Sequence, residues 1–205
     1  MLKIGTHNSG TGESGSGLLS WLVTPFSKCQ SKTLVEQYKA GCRYFDIRVK
    51  EYKGKLYLAH GLWRSKKTVH QALRDLFRVV DDKVYLMITY EGRNHSDELL
   101  QLYEWIKWDY PCAIVTSLNI KKPTWKCIKV LADIPVVQHF KCLDGSTWHT
   151  YIPIPWLWKK IYYDNVEFNE ETFKLVDFFE KRNKHKEIEI YVDWMKIKEN
   201  EKFLF

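Results

Sequence analysis

Apolar and polar positions along the 205-residue chain follow two periods in alternation. In "RYFDIRVK" (43–50) the apolar Phe45, Ile47 and Val49 alternate with Tyr44, Asp46 and Arg48, which predicts a strand using both faces. "GKLYLAH" (54–60) follows after a short turn and predicts a second strand. "TVHQALRDLFRVV" (68–80) changes to helical spacing, with Val69, Ala72, Leu73, Leu76, Phe77 and Val80 on one stripe. Thr68 and Gln71 fit a capping box at its start. "KVYLMITYE" (83–91) and "CAIVTSL" (112–118) are continuous apolar runs, the pattern of strands buried on both faces. "SDELLQLYEWIKW" (96–108) predicts a helix capped by Ser96. Further on, "IPVVQHF" (134–140) predicts a strand, "NEETFKLVDFFEKRNK" (169–184) a helix and "EIEIYVDWM" (187–195) a last strand. The two prolines of "YIPIPWLWKK" (151–160) make that stretch irregular.

Strands and helices in this order predict an α/β fold with a mainly parallel sheet, closed or nearly closed into a barrel. The length is short for eight complete β/α units. The expectation is therefore a compact, distorted or incomplete (β/α)8 TIM-like barrel, a single domain over residues 1–205.

In such a fold the carboxyl ends of the strands gather at one face, where chemistry is built. "KIGTHNSGTG" (3–12) places His7 and Asn8 after the first strand, on what reads as a flexible loop. Asp46 and Arg48 come toward the end of the next strand, His60 closes "LYLAH", Tyr90 and Glu91 close "LMITYE", and Asp193 comes late in "EIEIYVD". Two histidines, several carboxylates and an arginine at successive strand ends make a candidate acid–base site. Asp46 and Arg48 are two apart, so their side chains share one face of the strand. If that face is the barrel interior, the pair implies a bound anion or a functional network, because an isolated buried charge pair is costly. The alternative is an edge strand facing water.

His7, Asn8, Asp46 and Glu91 also carry oxygen and nitrogen donors suited to calcium. Arg48 brings a fixed positive charge to the side of the strand that holds Asp46 and competes for that space, which favours a site without metal.

Charge and composition narrow the partners. The net charge of +7 favours an anionic partner, and nine Trp exceed the usual share of a soluble domain. Trp21 in "GLLSWL" (17–22), and Trp156 and Trp158 beside two lysines in "IPIPWLWKK" (152–160), have the make-up of a membrane-interface surface. Core packing is the stronger expectation for Trp21, and docking for the Pro-flanked stretch. No run approaches the roughly 18 apolar residues of a spanning helix, and the polar start "MLKIGTHNSG" reads as lacking a signal peptide. The expectation is a monomer that is cytoplasmic, or released without a classical signal, with peripheral membrane contact. Nucleic acid is not expected as a partner, since no RNP, zinc or helix-turn-helix signature accompanies the charge.

Taken in order, "GTHNSGTG", "AGCRYFDIRV" and "LYLAHG", over residues 4–61, resemble the catalytic X region of phosphatidylinositol-specific phospholipase C. The resemblance is nearest to the small metal-independent bacterial type, and "YVDWM" is similar to that family's last strand. It implies a distorted, partly open (β/α)8 barrel that cleaves phosphatidylinositol-type phospholipids to diacylglycerol and a cyclic inositol phosphate. By position, His7 would be the general base and His60 the general acid. Arg48 would bind the phosphate, Asp46 would position Arg48, and Asp193 would support His7. Asn8, Tyr90 and Glu91 would lie against substrate. Two departures stand out. Asn8 replaces the Asp of the bacterial pattern, and Glu91 stands near where that type has a Lys, as in the calcium-dependent eukaryotic enzymes. His139, Lys141 and Asp164 are candidates for further inositol contacts. The rival readings are a metal-dependent enzyme like the glycerophosphodiester phosphodiesterases, whose Glu-x-Glu or Glu-x-Asp metal pair "FDIR" breaks, and an inactive lipid- or phosphate-binding barrel.

Overall fold

The computed structural model describes residues 3–92, 97–120, 126–132, 136–138 and 173–176. The chain begins with strand β1 (Lys3–Thr6), a 3-10 turn at Ser9–Gly12, and helices α1 (Gly17–Ser27) and α2 (Leu34–Lys39). Strands β2 (Tyr44–Tyr52), β3 (Lys55–His60) and β4 (Trp63–Thr68) lead into α3 (Val69–Phe77). Next come β5 (Val84–Tyr90), α4 (Asp97–Asp109), β6 (Ala113–Ile120), β7 (Lys126–Val130), β8 (Val136–Gln138) and β9 (Phe173–Val176).

The strands form one sheet in the order β7-β6-β5-β2-β1-β9-β8, with the β3–β4 hairpin added to the far end of β2. From β6 across to β8 the neighbours are parallel, whereas β7 and the hairpin are antiparallel. Among the described residues the sheet is open between β7 and β8, the architecture of an incomplete barrel.

Strand β2 shows why the barrel forms here. Its alternation sends Phe45, Ile47 and Val49 to one face, and Tyr44, Asp46 and Arg48 to the other, and all six are buried. The apolar face continues through Leu86, Ile88 and Tyr90 of β5 and is covered by Val69, Leu73 and Leu76 of α3 and Leu99, Leu102 and Ile106 of α4. Each such aliphatic chain contributes about 1.5–3 kcal/mol by leaving water. The opposite face is polar. Asp46 is fully buried and Arg48 only 6% exposed. Tyr44 shares a 2.7 Å hydroxyl bond with Thr116 of β6, and burial pushes its phenol up to about 12. The water-facing alternative for "DIR" is therefore excluded, and the strand carries its charge pair on the interior face.

The helices start where side chains satisfy their first amides. Thr68 and Gln71 form the expected capping box of α3, and Thr33 with Glu36 forms another at α2. Residues 136–138 are a strand as expected. Phe173–Val176, inside the stretch read as a helix, instead runs parallel between β1 and β8. A short apolar run carries either structure, and pairing with an otherwise open side of β1 decides it. Trp21 is 70% exposed on α1, not in the core. The Ser96 cap, the irregular stretch with Trp156 and Trp158, His139, Lys141, Asp164, and the last strand with Asp193 lie outside the described residues.

Candidate active site

The segment after β1 is not a flexible loop. Residues 5–12 are all buried, and their polar groups are spent on fixing one another. Thr6 donates its hydroxyl to Gln37 Oε1 (2.6 Å), and Gln37 Nε2 returns to the Ser9 carbonyl (2.9 Å). Thr11 donates to the Asn8 carbonyl (2.8 Å) and accepts from the Cys29 and Gln30 amides (3.0 and 3.1 Å). Gln30 Nε2 holds the His7 carbonyl at 2.9 Å. A Cβ at position 12 would fall on the Lys32 carbonyl, so only glycine allows the loop to close there. Asn8 occupies the left-handed region (φ 46°), which short polar side chains tolerate.

This wiring delivers His7 and Asn8 to the polar face of β2. Arg48 Nη2 lies 2.8 Å from His7 Nε2. A guanidinium can only donate, so Nε2 is the accepting, unprotonated nitrogen. Arg48 also donates through Nε and Nη2 to one oxygen of Asp46, both at 3.1 Å, and the Asn8 amide reaches that oxygen at 3.1 Å. Burial opposes the charge on Asp46, yet Arg48, His7 and these hydrogen bonds outweigh it and hold the carboxyl below its usual range. For Arg48, burial is likewise outweighed by Asp46 and then Glu91, which hold its pKa above the ordinary value.

His60, at the end of β3, faces the same cluster. Its Nδ1 lies 2.7 Å from the Ser27 carbonyl. Asn8 Nδ2 stands 3.1 Å from His7 Nε2 and 3.4 Å from His60 Nε2, so one amide nitrogen reaches both rings. The same nitrogen donates to Cys29 Sγ at 3.3 Å. Burial lowers the pKa of His60, reinforced by Arg48 and His7 and opposed by the Ser27 carbonyl and Glu91. Glu91 accepts from the Gly61 amide at 2.6 Å and lies 3.7 Å from Arg48 Nη1. Gly61 holds a left-handed turn (φ 63°), which points its amide at that carboxylate and ends the strand carrying His60.

The structure thus brings together His7, Asn8, Asp46, Arg48, His60 and Glu91. It sets Tyr90 apart. In the parallel register Thr89 is level with Arg48 and Tyr90 with Val49, so the Tyr90 ring belongs to the apolar face and the core. The period of two along β5 carried that signal. Sequence reasoning missed the Ser27 carbonyl, Cys29, Gln30 and Gln37. The local signal that could have found one of them is the capping pattern Thr33-x-x-Glu36, which starts the helix carrying Gln37. Of the donors considered for calcium, Asp46 and Glu91 are engaged by the guanidinium that lies between them, and His7 accepts from it. Among the described residues no group of three or more His, Cys, Asp or Glu side chains is placed to hold a metal ion.

No family model matches the chain. A stretch of 64 residues is 39% identical to a PI-PLC X-box domain-containing protein of Dictyostelium discoideum. The match takes in 31% of this chain and 8% of that much longer protein. In fold, the chain is similar to a variant of phosphatidylinositol-specific phospholipase C from Staphylococcus aureus, with a TM-score of 0.51 and 14% identity over 84% of this chain and 70% of that one. The Listeria monocytogenes phosphatidylinositol-specific phospholipase C aligns with a TM-score of 0.45 and 16% identity over 67% of this chain and 60% of its own. In sequence over those 64 residues, and in fold over most of its length, the chain resembles the phosphatidylinositol-specific phospholipase C X-domain family.

Proposed function

We propose that the protein is a phosphodiesterase of the phospholipase C type that converts phosphatidylinositol-type lipids to diacylglycerol and a cyclic inositol phosphate without a metal ion. The observation that carries this reading is the placement of both imidazole Nε2 atoms within reach of one amide nitrogen, with Arg48 bonded to one of the rings. His7 takes the proton of the inositol 2-hydroxyl as its oxygen bonds to phosphorus. The bond from phosphorus to the glycerol oxygen breaks, and His60 gives that oxygen a proton. Attack by a hydroxyl on the same ring as the phosphate gains from high effective concentration. Arg48 stabilises the charge growing on the non-bridging oxygens, while Asp46 fixes its plane.

This reading includes one further step. Arg48 Nη2 now caps the lone pair that His7 must use. An arriving phosphate draws the guanidinium toward itself and leaves Nε2 open to the hydroxyl. The base is thereby uncovered by the group that it serves. Asp193, outside the described residues, is assigned to support His7 by resemblance alone.

Helix α1 is the proposed membrane contact. Leu18, Leu19, Trp21, Leu22 and Phe26 are exposed on it, and Leu62 is exposed two residues after His60. Ser20 ties the helix to β4 by exchanging hydrogen bonds with the Arg64 main chain (3.0 and 3.2 Å). An apolar helix beside the site, on a chain of net charge +7, suits an anionic lipid surface. No helix among the described residues is long and apolar enough to cross a membrane.

The roles are tested with His7→Ala and His60→Ala. Each variant keeps the parental circular dichroism and loses cyclic phosphodiester formation from phosphatidylinositol by a factor of about 100 or more. Near-parental turnover in either variant contradicts the pairing of roles.

A further inference from the structure

A general acid needs its proton on the nitrogen that faces the leaving group, and a partner on the other nitrogen usually ensures this. In many acid–base sites that partner is a carboxylate. Position 8 holds Asn, which supplies no negative charge, and its Nδ2 lies on the Nε2 side of the His60 ring. The Nδ1 side is occupied by the Ser27 carbonyl at 2.7 Å. A carbonyl only accepts, so this contact requires a proton on Nδ1. Neutral His60 then keeps its lone pair on Nε2, and every proton gained or lost is exchanged there.

Ser27 is the last residue of α1, where free carbonyls concentrate the negative end of the helix dipole. The segment is held on both sides. Lys28 N closes the last turn onto the Thr24 carbonyl (2.9 Å), and the Cys29 and Gln30 amides are tied to Thr11 in the site loop. Among the described residues, the charged groups that act on His60 are Arg48 and His7, which disfavour its cation, and Glu91, which favours it. Cys29 Sγ stands 3.9 Å from Nδ1.

We propose that the main-chain carbonyl of Ser27 is the positioning group of the general acid: it holds the Nδ1 proton of His60, performing with the end of a helix what a carboxylate performs elsewhere. The proposal rests on the reading of His60 as the acid. It makes α1 a part of the catalytic apparatus as well as a surface element, because the helix that presents Trp21 and Phe26 to lipid also carries the acid's partner. Lipid contact along α1 therefore bears directly on His60.

The test is long-range proton–nitrogen NMR on the full-length chain with labelled histidine, the His60 signals being assigned by their loss in His60→Ala. Above its titration, His60 should be the Nδ1–H tautomer. The Nε2–H tautomer, or an even mixture, overturns the proposal. A second arm re-aims the carbonyl. Lys28→Pro disfavours the helical conformation at Ser27 and removes the amide that closes the turn, whereas Lys28→Ala leaves both. Loss of the carbonyl lowers the His60 pKa, and the acid must be protonated to act. The basic limb of kcat/KM on a monomeric short-chain substrate should thus move to lower pH by about one unit in Lys28→Pro and stay in place in Lys28→Ala. A folded Lys28→Pro protein with an unmoved limb overturns the proposal, and a variant that does not fold leaves the tautomer of the parent chain to decide. A parent chain that makes no cyclic phosphodiester, yet holds the Nδ1 proton, overturns the enzymatic reading and leaves the proton-holding contact standing.

Discussion

Arg48 is the residue on which the site turns. Its Nη2 donates to His7, its Nε and Nη2 to Asp46, and its Nη1 faces Glu91. A planar fork meets these partners together with an incoming phosphate, and the point charge of lysine does not. Arg48→Lys should therefore lose kcat by about 100-fold or more while keeping an intact thermal unfolding transition, checked by steady-state turnover beside calorimetry. A fall confined to KM contradicts a role in the transition state. At this scale the sequence was readable where strand periodicity applies. Asp46 and Arg48, two apart, do share the buried interior face, and the same period applied to β5 sets Tyr90 on the apolar face, against its reading as a substrate contact. The Ser27 carbonyl was not readable, because a main-chain acceptor leaves no mark in residue type.

Elements were legible in proportion to the strength of their local signal. Helix α3 combines a capping box with a clean apolar stripe and forms as expected. Helix α1 was missed. Its exposed face is apolar, Pro25 lies inside it, and its buried side offers small residues such as Ser20 and Ser27, so the usual periodicity is inverted. That inversion is what a surface-seeking helix shows. Trp21→Ala with Leu22→Ala should weaken sedimentation with anionic vesicles by about tenfold or more and leave turnover of a monomeric soluble substrate nearly unchanged. Equal losses in both assays contradict a docking role for this face. Strand β4, "WRSKKT", is polar and exists by pairing with β3, information that lies in another part of the chain. Strand β9 is the same case, with β1 and β8 on either side of it.

For the molecule as a whole, the order of strands and helices carried the architecture further than any single element. Alternating units implied a parallel sheet, the length implied an incomplete barrel, and the open sheet agrees with both. The barrel needs an interior, and this one is polar at β2, so the charge that would destabilise a plain core is used to hold a guanidinium against His7, with His60 on the other side of the Asn8 amide. The central claim is that this guanidinium does the electrostatic work of a metal ion in cyclising a phosphodiester. The direct measurement is phosphorus NMR of phosphatidylinositol vesicles incubated with the protein in excess EDTA. A five-membered cyclic phosphodiester signal, growing at a rate the chelator does not change, is the predicted result. Turnover that stops with EDTA and returns with calcium, or a product without a cyclic intermediate, contradicts the account.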